Sequence, residues 1–192
     1  FLGALLQSWC SLADTNIMAV TLESHGRDQM RQGGITALSV GNLTGRFPVV
    51  FEVSSSDSLR HTVDQIARTI DSTPQGGVGF GLLRHLCFDS IVSEAFSGFP
   101  APLVRFVYRG RLDQGFRERD SFKILHTGVR RPKTGSDTSG ADSEILVFAR
   151  REVATFSWTV EVNPGSRAHW DLPLETELCD LMIKALANAT LD

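Results

Sequence analysis

Between Ala154 and Val162 apolar and polar residues alternate without a break. Ala154, Phe156, Trp158, Val160 and Val162 fall on one side, and Thr155, Ser157, Thr159 and Glu161 on the other. That two-residue period specifies a strand with one buried face. The segment Ile145–Arg150 stands a tight turn upstream, so the two stretches read as an antiparallel pair closing a sheet. A fold built around them must cover one face of a sheet and leave the other more polar.

The covering layer is legible upstream and downstream of that pair. Leu2, Leu5, Leu6, Trp9 and Leu12 recur at helical spacing over 2–13. Ser56-Asp57 reads as a helix N-cap, and the helix runs to Asp71 with Leu59, Val63, Ile66, Ala67 and Ile70 on one stripe. A short helix follows over Gly79–Phe88. A last one opens at Asp171 and Pro173 with Leu174, Leu178, Leu181, Met182, Ala185 and Leu186 on its apolar face. Further strands fall at 16–23, 46–53 and Leu103–Arg109, the middle one carrying Phe47, Val49, Phe51 and Val53 on one face. A strand is also expected around Phe122–His126, and a mobile Gly/Ser/Thr/Asp-rich stretch from Arg130 to Asp142. Interspersed helices and strands with an antiparallel close imply an α/β (α+β) two-layer sandwich, a mixed sheet with covering helices, in one domain spanning 1–192.

Composition narrows the function classes. A chain of 192 residues can bury a full core. Its formal charge of −3 offers no general attraction to nucleic acid or to anionic membranes. No apolar run approaches the ~20 residues that span a bilayer. Cys10, Cys87 and Cys179 are odd in number and lie in apolar helical contexts, which points to buried free thiols and a cytoplasmic setting. The five histidines lack metal-ligand spacing, so no metal site is expected. The opening Phe1-Leu2-Gly3-Ala4-Leu5-Leu6 has neither Met nor a basic flank and reads as the inside of a helix. The chain is therefore expected to be a fragment, a processed product or the ordered part of something longer.

Chemistry concentrates in Glu23-Ser24-His25-Gly26-Arg27-Asp28, directly after the apolar run Ile17–Leu22. Charged residues at the end of a buried strand stand where α/β folds open their sites. Glu23 has two readings: a surface carboxylate paired with Arg27, or a carboxylate half-buried behind the strand and suited to proton transfer. The glycine run Gly76-Gly77-Val78-Gly79-Phe80-Gly81 tempts comparison with nucleotide loops. Its spacing fails, because Leu82 stands where the last glycine belongs, and it follows a helix rather than a strand. Tight turning and close approach between two helices explain it better.

Five ordered stretches resemble the second half of the epimerization domains of nonribosomal peptide synthetases, members of the condensation-domain superfamily. Leu2–Leu6 is similar to the helix that precedes the family's glutamate motif. Glu23–Asp28 resembles Glu-Gly-His-Gly-Arg-Glu, and Ser39–Pro48 resembles Thr-Val-Gly-Trp-Phe-Thr-x-x-Tyr/Phe-Pro. Pro74–Gly81 resembles Pro-x-x-Gly-x-Gly-Tyr-Gly, and Phe106–Arg111 resembles Phe-Asn-Tyr-Leu-Gly-Gln/Arg. This chain has Asn42 where the family motif has tryptophan, and Val107 where it has asparagine.

The resemblance implies the C-terminal lobe of a chloramphenicol-acetyltransferase-like pseudo-dimer. It implies an N-terminal lobe carrying His-His-x-x-x-Asp-Gly, and a tunnel between the lobes. A peptidyl carrier protein would deliver its acyl thioester there on a 4′-phosphopantetheine arm, with no cofactor bound directly. The implied reaction is inversion of the α-carbon of an aminoacyl or peptidyl group. Glu23 takes the acid/base position and Tyr108 lies near the reacting centre. His25, Gly26, Arg27, Gly41, Asn42, Gly77, Gly79 and Val107 occupy the motif positions. Two alternatives stay open: a non-catalytic carrier-docking module, and an amide-forming condensation relative. An isolated lobe would be inactive and would expose an apolar patch.

Overall fold

The computed structural model describes residues 1–24, 40, 41, 43–97, 99, 102–111, 145–151, 156–162 and 174–189. Among these, helices α1 (Leu2–Leu12), α2 (Leu59–Asp71), α3 (Val78–Leu86), α4 (Ser90–Ser97) and α5 (Leu174–Ala189) accompany strands β1 (Ile17–Ser24), β2 (Gly45–Glu52), β3 (Val104–Arg111), β4 (Ile145–Arg151) and β5 (Phe156–Val162). The strand around Phe122–His126, the 130–142 stretch, residues 153–155, and Asp171 with Pro173 lie outside the described residues.

The five strands form one mixed sheet in the order β2-β1-β3-β4-β5. The β1–β2 and β4–β5 pairs are antiparallel, and β1–β3 and β3–β4 are parallel. The expected antiparallel close is present, with Val147 opposite Val160 and Ala149 opposite Trp158.

Register sorts the sheet into two faces. Leu22 faces Phe47 on one side and Phe106 on the other, and Phe106 pairs with Val147. Residues in step with these pack in one cluster with Leu5, Leu6 and Trp9 of α1, Ile66 of α2, and Leu178 and Met182 of α5. Leu5, Leu6, Val20, Val104, Ile145, Val147, Leu178 and Met182 have no solvent exposure. A Phe51→Ala-sized cavity in such a cluster costs about 3–5 kcal/mol, so this one face anchors the fold. The other face carries Ala19, Thr21 and Glu23 on β1, Arg46 and Pro48 on β2, and Arg105 and Val107 on β3.

Local sequence explains most boundaries. The N-cap of α2 is Ser58, one step past the expected Ser56-Asp57, and its side chain accepts a hydrogen bond from the His61 N–H at 3.3 Å. The stripe on α2 is narrower than its apolar residues suggest. Thr62 and Ile66 are buried, whereas Val63 is about half exposed. Thr62 is buried because Gln7 on α1 reaches it: Gln7 Nε2 donates to Thr62 Oγ1 and to the Asp57 carbonyl, each at 2.8 Å. Two hydrogen bonds, one buried and one part-buried, thus pin α1 to the start of α2. Gln7→Leu removes both donors and leaves Thr62 Oγ1 unsatisfied; urea unfolding is expected to show a loss of about 2 kcal/mol.

Two expectations change. Helix α4 stands between the expected helix over Gly79–Phe88 and the expected strand at Leu103–Arg109, where the sequence reading placed no element, because its short apolar stretch Ile91-Val92 is too brief to show a period. Of the three cysteines only Cys10 is buried, and burial pushes its thiol above the ordinary range; Cys87 and Cys179 are half-buried. Exposed apolar side chains gather on α3 and the segment after it, at Leu82, Leu86, Phe88 and Ile91. Among the described residues no helix is long and apolar enough to cross a membrane.

Candidate functional site

Glu23 stands at the end of β1 on the second face. The antiparallel register puts Arg46 of β2 directly opposite it, and the parallel register puts Arg105 of β3 opposite Thr21, on the diagonal. Cross-strand and diagonal neighbours on one face lie within reach of long side chains. Arg46 Nε donates to Glu23 Oε1 at 3.1 Å, and Arg105 Nη1 lies 3.7 Å from the same oxygen. The Glu23 side chain is 21% exposed, between an Arg46 side chain at 42% and an Arg105 side chain at 10%. Among the described residues the second carboxylate oxygen, Oε2, makes no hydrogen bond or ion pair. One oxygen is thus anchored by two arginines, and the other is uncommitted among the described residues.

The half-buried setting anticipated for Glu23 is therefore ionic rather than apolar. Arg27 lies outside the described residues, as do His25, Gly26 and Asn42. Arg105 was not singled out by sequence reasoning. Its signal is present: a lone cation at the alternate position of Val104-Arg105-Phe106, whose neighbours both face the core.

Tyr108 and Glu23 are not brought together. Tyr108 is in step with Phe106 and falls on the core face, with its ring 5.9 Å from that of Phe1. Phe1 also meets Trp158 edge-on at 6.3 Å. Val107 instead falls on the Glu23 face, one residue past the last β1–β3 pair, Leu22 with Phe106. The motif position that shares a face with the carboxylate is thus the valine.

The glycine run resolves into separate roles. Pro74–Gly77 forms a 3-10 turn, and Gly77 adopts φ +82°. A Cβ on Gly77 would stand 2.0 Å from the Phe47 ring. The close approach is between turn and strand β2 rather than between two helices. At Gly79 a Cβ would meet nothing within 4 Å. Gly41 is described, with φ +153°, and nothing lies within 4 Å of where its Cβ would be.

With that turn fixed, α3 runs beside edge strand β2 and borders an open cavity of about 420 Å³. Its walls include Thr21, Arg46 and Pro48 of the second face and Phe80, Arg84 and His85 of α3. Arg46 therefore contributes to the cavity and to the Glu23 ion pair at once.

No family model matches the chain. Curated relatives do. The chain is 30% identical over 111 residues to bacitracin synthase 3 of Bacillus licheniformis, covering 58% of this chain and 2% of that protein. It is 27% identical over 154 residues to tyrocidine synthase 1 of Brevibacillus parabrevis, covering 80% of this chain and 13% of that protein. The chain thus spans a small part of the relatives it matches.

Among solved structures, the epimerization domain from the third module of tyrocidine synthetase B superposes with a TM-score of 0.73 at 24% identity. The match covers 98% of this chain and 40% of that one. The first condensation domain of the calcium-dependent antibiotic synthetase gives 0.55 at 13% identity, covering 100% of this chain and 38% of that one. A mixed sheet with α1, α2 and α5 packed on one face, the Glu23–Arg46–Arg105 cluster at the end of β1 and these matches lead to one conclusion. The chain has the condensation-superfamily fold shared by the condensation and epimerization domains of nonribosomal peptide synthetases, and it resembles the epimerization domains.

Proposed function

We propose that this chain, 1–192, is the C-terminal lobe of an epimerization-type domain. Its partner lobe carries the His-His-x-x-x-Asp-Gly motif, and the substrate is an aminoacyl or peptidyl thioester held on the 4′-phosphopantetheine arm of a peptidyl carrier protein. The observation that carries the reading is Glu23, held through Oε1 by Arg46 and Arg105 with Oε2 uncommitted among the described residues.

A thioester acidifies the α-hydrogen of its acyl group. Inversion needs a base on one face of that carbon and an acid on the other. Glu23 Oε2 takes or returns the α-proton, and the histidine of the partner lobe serves the opposite face. The electron pair of the broken C–H bond moves to the thioester carbonyl oxygen as an enolate and returns when the carbon is reprotonated. Arg46 and Arg105 fix the direction of the carboxylate, a positioning role. Tyr108, packed on Phe1 on the opposite face of the sheet, shapes the lobe rather than the reacting centre. His25, Gly26, Arg27, Gly41, Asn42 and Gly79 occupy the resembled motif positions on this reading, and Gly77 sets the turn that presents α3.

A second reading has a specific support. Val107 puts an apolar side chain on the Glu23 face where the resembled motif has an amide. A lobe that had lost this group would still bind a carrier but not invert its cargo. The two readings part on one experiment. The protein containing this chain and its partner lobe is incubated with a carrier loaded with an L-aminoacyl group, and the released amino acid is resolved by chirality. A mixture approaching equal D and L supports epimerization. Pure L with the carrier bound supports the docking reading, and a dipeptidyl product would point to condensation.

A further inference from the structure

We propose that the cavity between α3 and the second face of the sheet is a binding pocket for an oxyanion that carries an apolar or aromatic body. The inference does not require Glu23 to move a proton, although the pocket shares Arg46 with the Glu23 ion pair.

The charge of the walls is one-sided. Arg46, Arg84 and His85 line the cavity, and none of its described lining residues is acidic. Glu23 offsets Arg46 from behind. Arg84 has no such partner: among the described residues it makes no ion pair or hydrogen bond, and its guanidinium lies 5.9 Å from the Phe80 ring centre. A planar guanidinium held against an aromatic face keeps its fork of donors free for a carboxylate or a phosphate. The ring that holds it is itself fixed, 5.6 Å from Phe96 and 6.4 Å from Phe99. Thr21 adds a hydroxyl-bearing side chain at the wall.

Apolar surface stands beside these polar groups: Phe47, Pro48, Phe80 and Pro102 line the pocket along with Thr44, and a volume of about 420 Å³ lies within the range of small-molecule sites. A bare inorganic anion would leave those surfaces against water. An arylcarboxylate or the phosphate monoester of an apolar group would use both halves.

The test is a titration of the full chain with benzoate, benzamide and inorganic phosphate, followed by NMR of the arginine Nε–H and histidine ring signals. Benzoate is expected to saturate and to shift Arg84, Arg46 and His85, whereas neutral benzamide of the same shape does not. Arg84→Gln should weaken anion binding at least about tenfold, with the backbone spectrum of the variant showing that it folds. Arg84→Lys should fall between, because it keeps the charge and loses the fork. Arg68→Gln, the same charge change on α2 away from the cavity, should leave binding unchanged. Tighter binding of benzoate than phosphate identifies a carboxylate with an aryl body; the reverse identifies a phosphate monoester. The proposal is overturned if benzamide binds as well as benzoate, if Arg84→Gln binds as the parent does, or if neither anion saturates by concentrations on the order of 10 mM.

Discussion

Glu23→Gln is expected to lower α-proton exchange on a carrier-bound aminoacyl thioester by at least about a hundredfold, the usual contribution of a positioned acid–base group. The expectation rests on what the substitution leaves intact. Glutamine keeps the length and shape of the side chain, and its amide oxygen can still accept from Arg46 Nε, now 3.1 Å from Oε1. What disappears is the group that can exchange a proton with carbon. Loss of the ionic partner also leaves the Arg105 guanidinium with less compensation, so stability should fall by about 1 kcal/mol, too little to unfold a domain. The discriminating comparison is Arg46→Gln, whose carboxylate is intact but less firmly directed. It should retain measurable exchange while Glu23→Gln does not. Equal losses in both variants would mean that the ion pair, not the carboxylate, is what the reaction needs.

Gly77→Ala is expected to destabilise the fold by about 3 kcal/mol, from two separable causes. At φ +82° an L side chain pays the left-handed penalty of roughly 1–2 kcal/mol. In addition the new methyl must displace the Phe47 ring, which stands 2.0 Å from the Cβ position in the middle of the β2 core face. Overpacking of that kind costs about 1–3 kcal/mol. Urea unfolding of the two single variants and the Gly77→Ala/Phe47→Leu double variant separates the terms. The smaller side chain at 47 should recover the steric part and leave the backbone part. If Gly77→Ala unfolds like the parent, the turn does not press on β2 as described. Because this turn sets α3 against edge strand β2, the same variant should also disturb the wall formed by Phe80 and Arg84.

Much of this architecture was legible in local pattern. Alternation at Phe156–Val162 and at Phe47, Val49 and Phe51 gave faces as well as strands, because a two-residue period carries orientation. The helical stripe of α1 was equally plain, with Leu5 and Leu6 fully buried as its spacing implies. Helix α4 was missed for want of length. The site was legible only in part. Glu23 stood out because charge at the end of an apolar run is a local signal. Its partners were not local: Arg46 is 23 residues away, and Arg105 is joined to it only through the parallel β1–β3 pairing. Sequence neighbours suggested Arg27, which lies outside the described residues, and register supplies Arg46. The same arithmetic of register separates Tyr108 from Glu23, since adjacent residues of a strand face opposite ways. Val107 and Tyr108 could not both face the carboxylate, and a motif read as a string does not say which one does.

The most direct test of the account follows the α-hydrogen itself. A carrier loaded with an α-deuterated aminoacyl group is presented to the protein containing this chain and its partner lobe, and the label is followed by mass spectrometry in ordinary water. The account predicts washout of deuterium in the parent protein and its retention in Glu23→Gln. Full retention in the parent, with the carrier demonstrably bound, would contradict it.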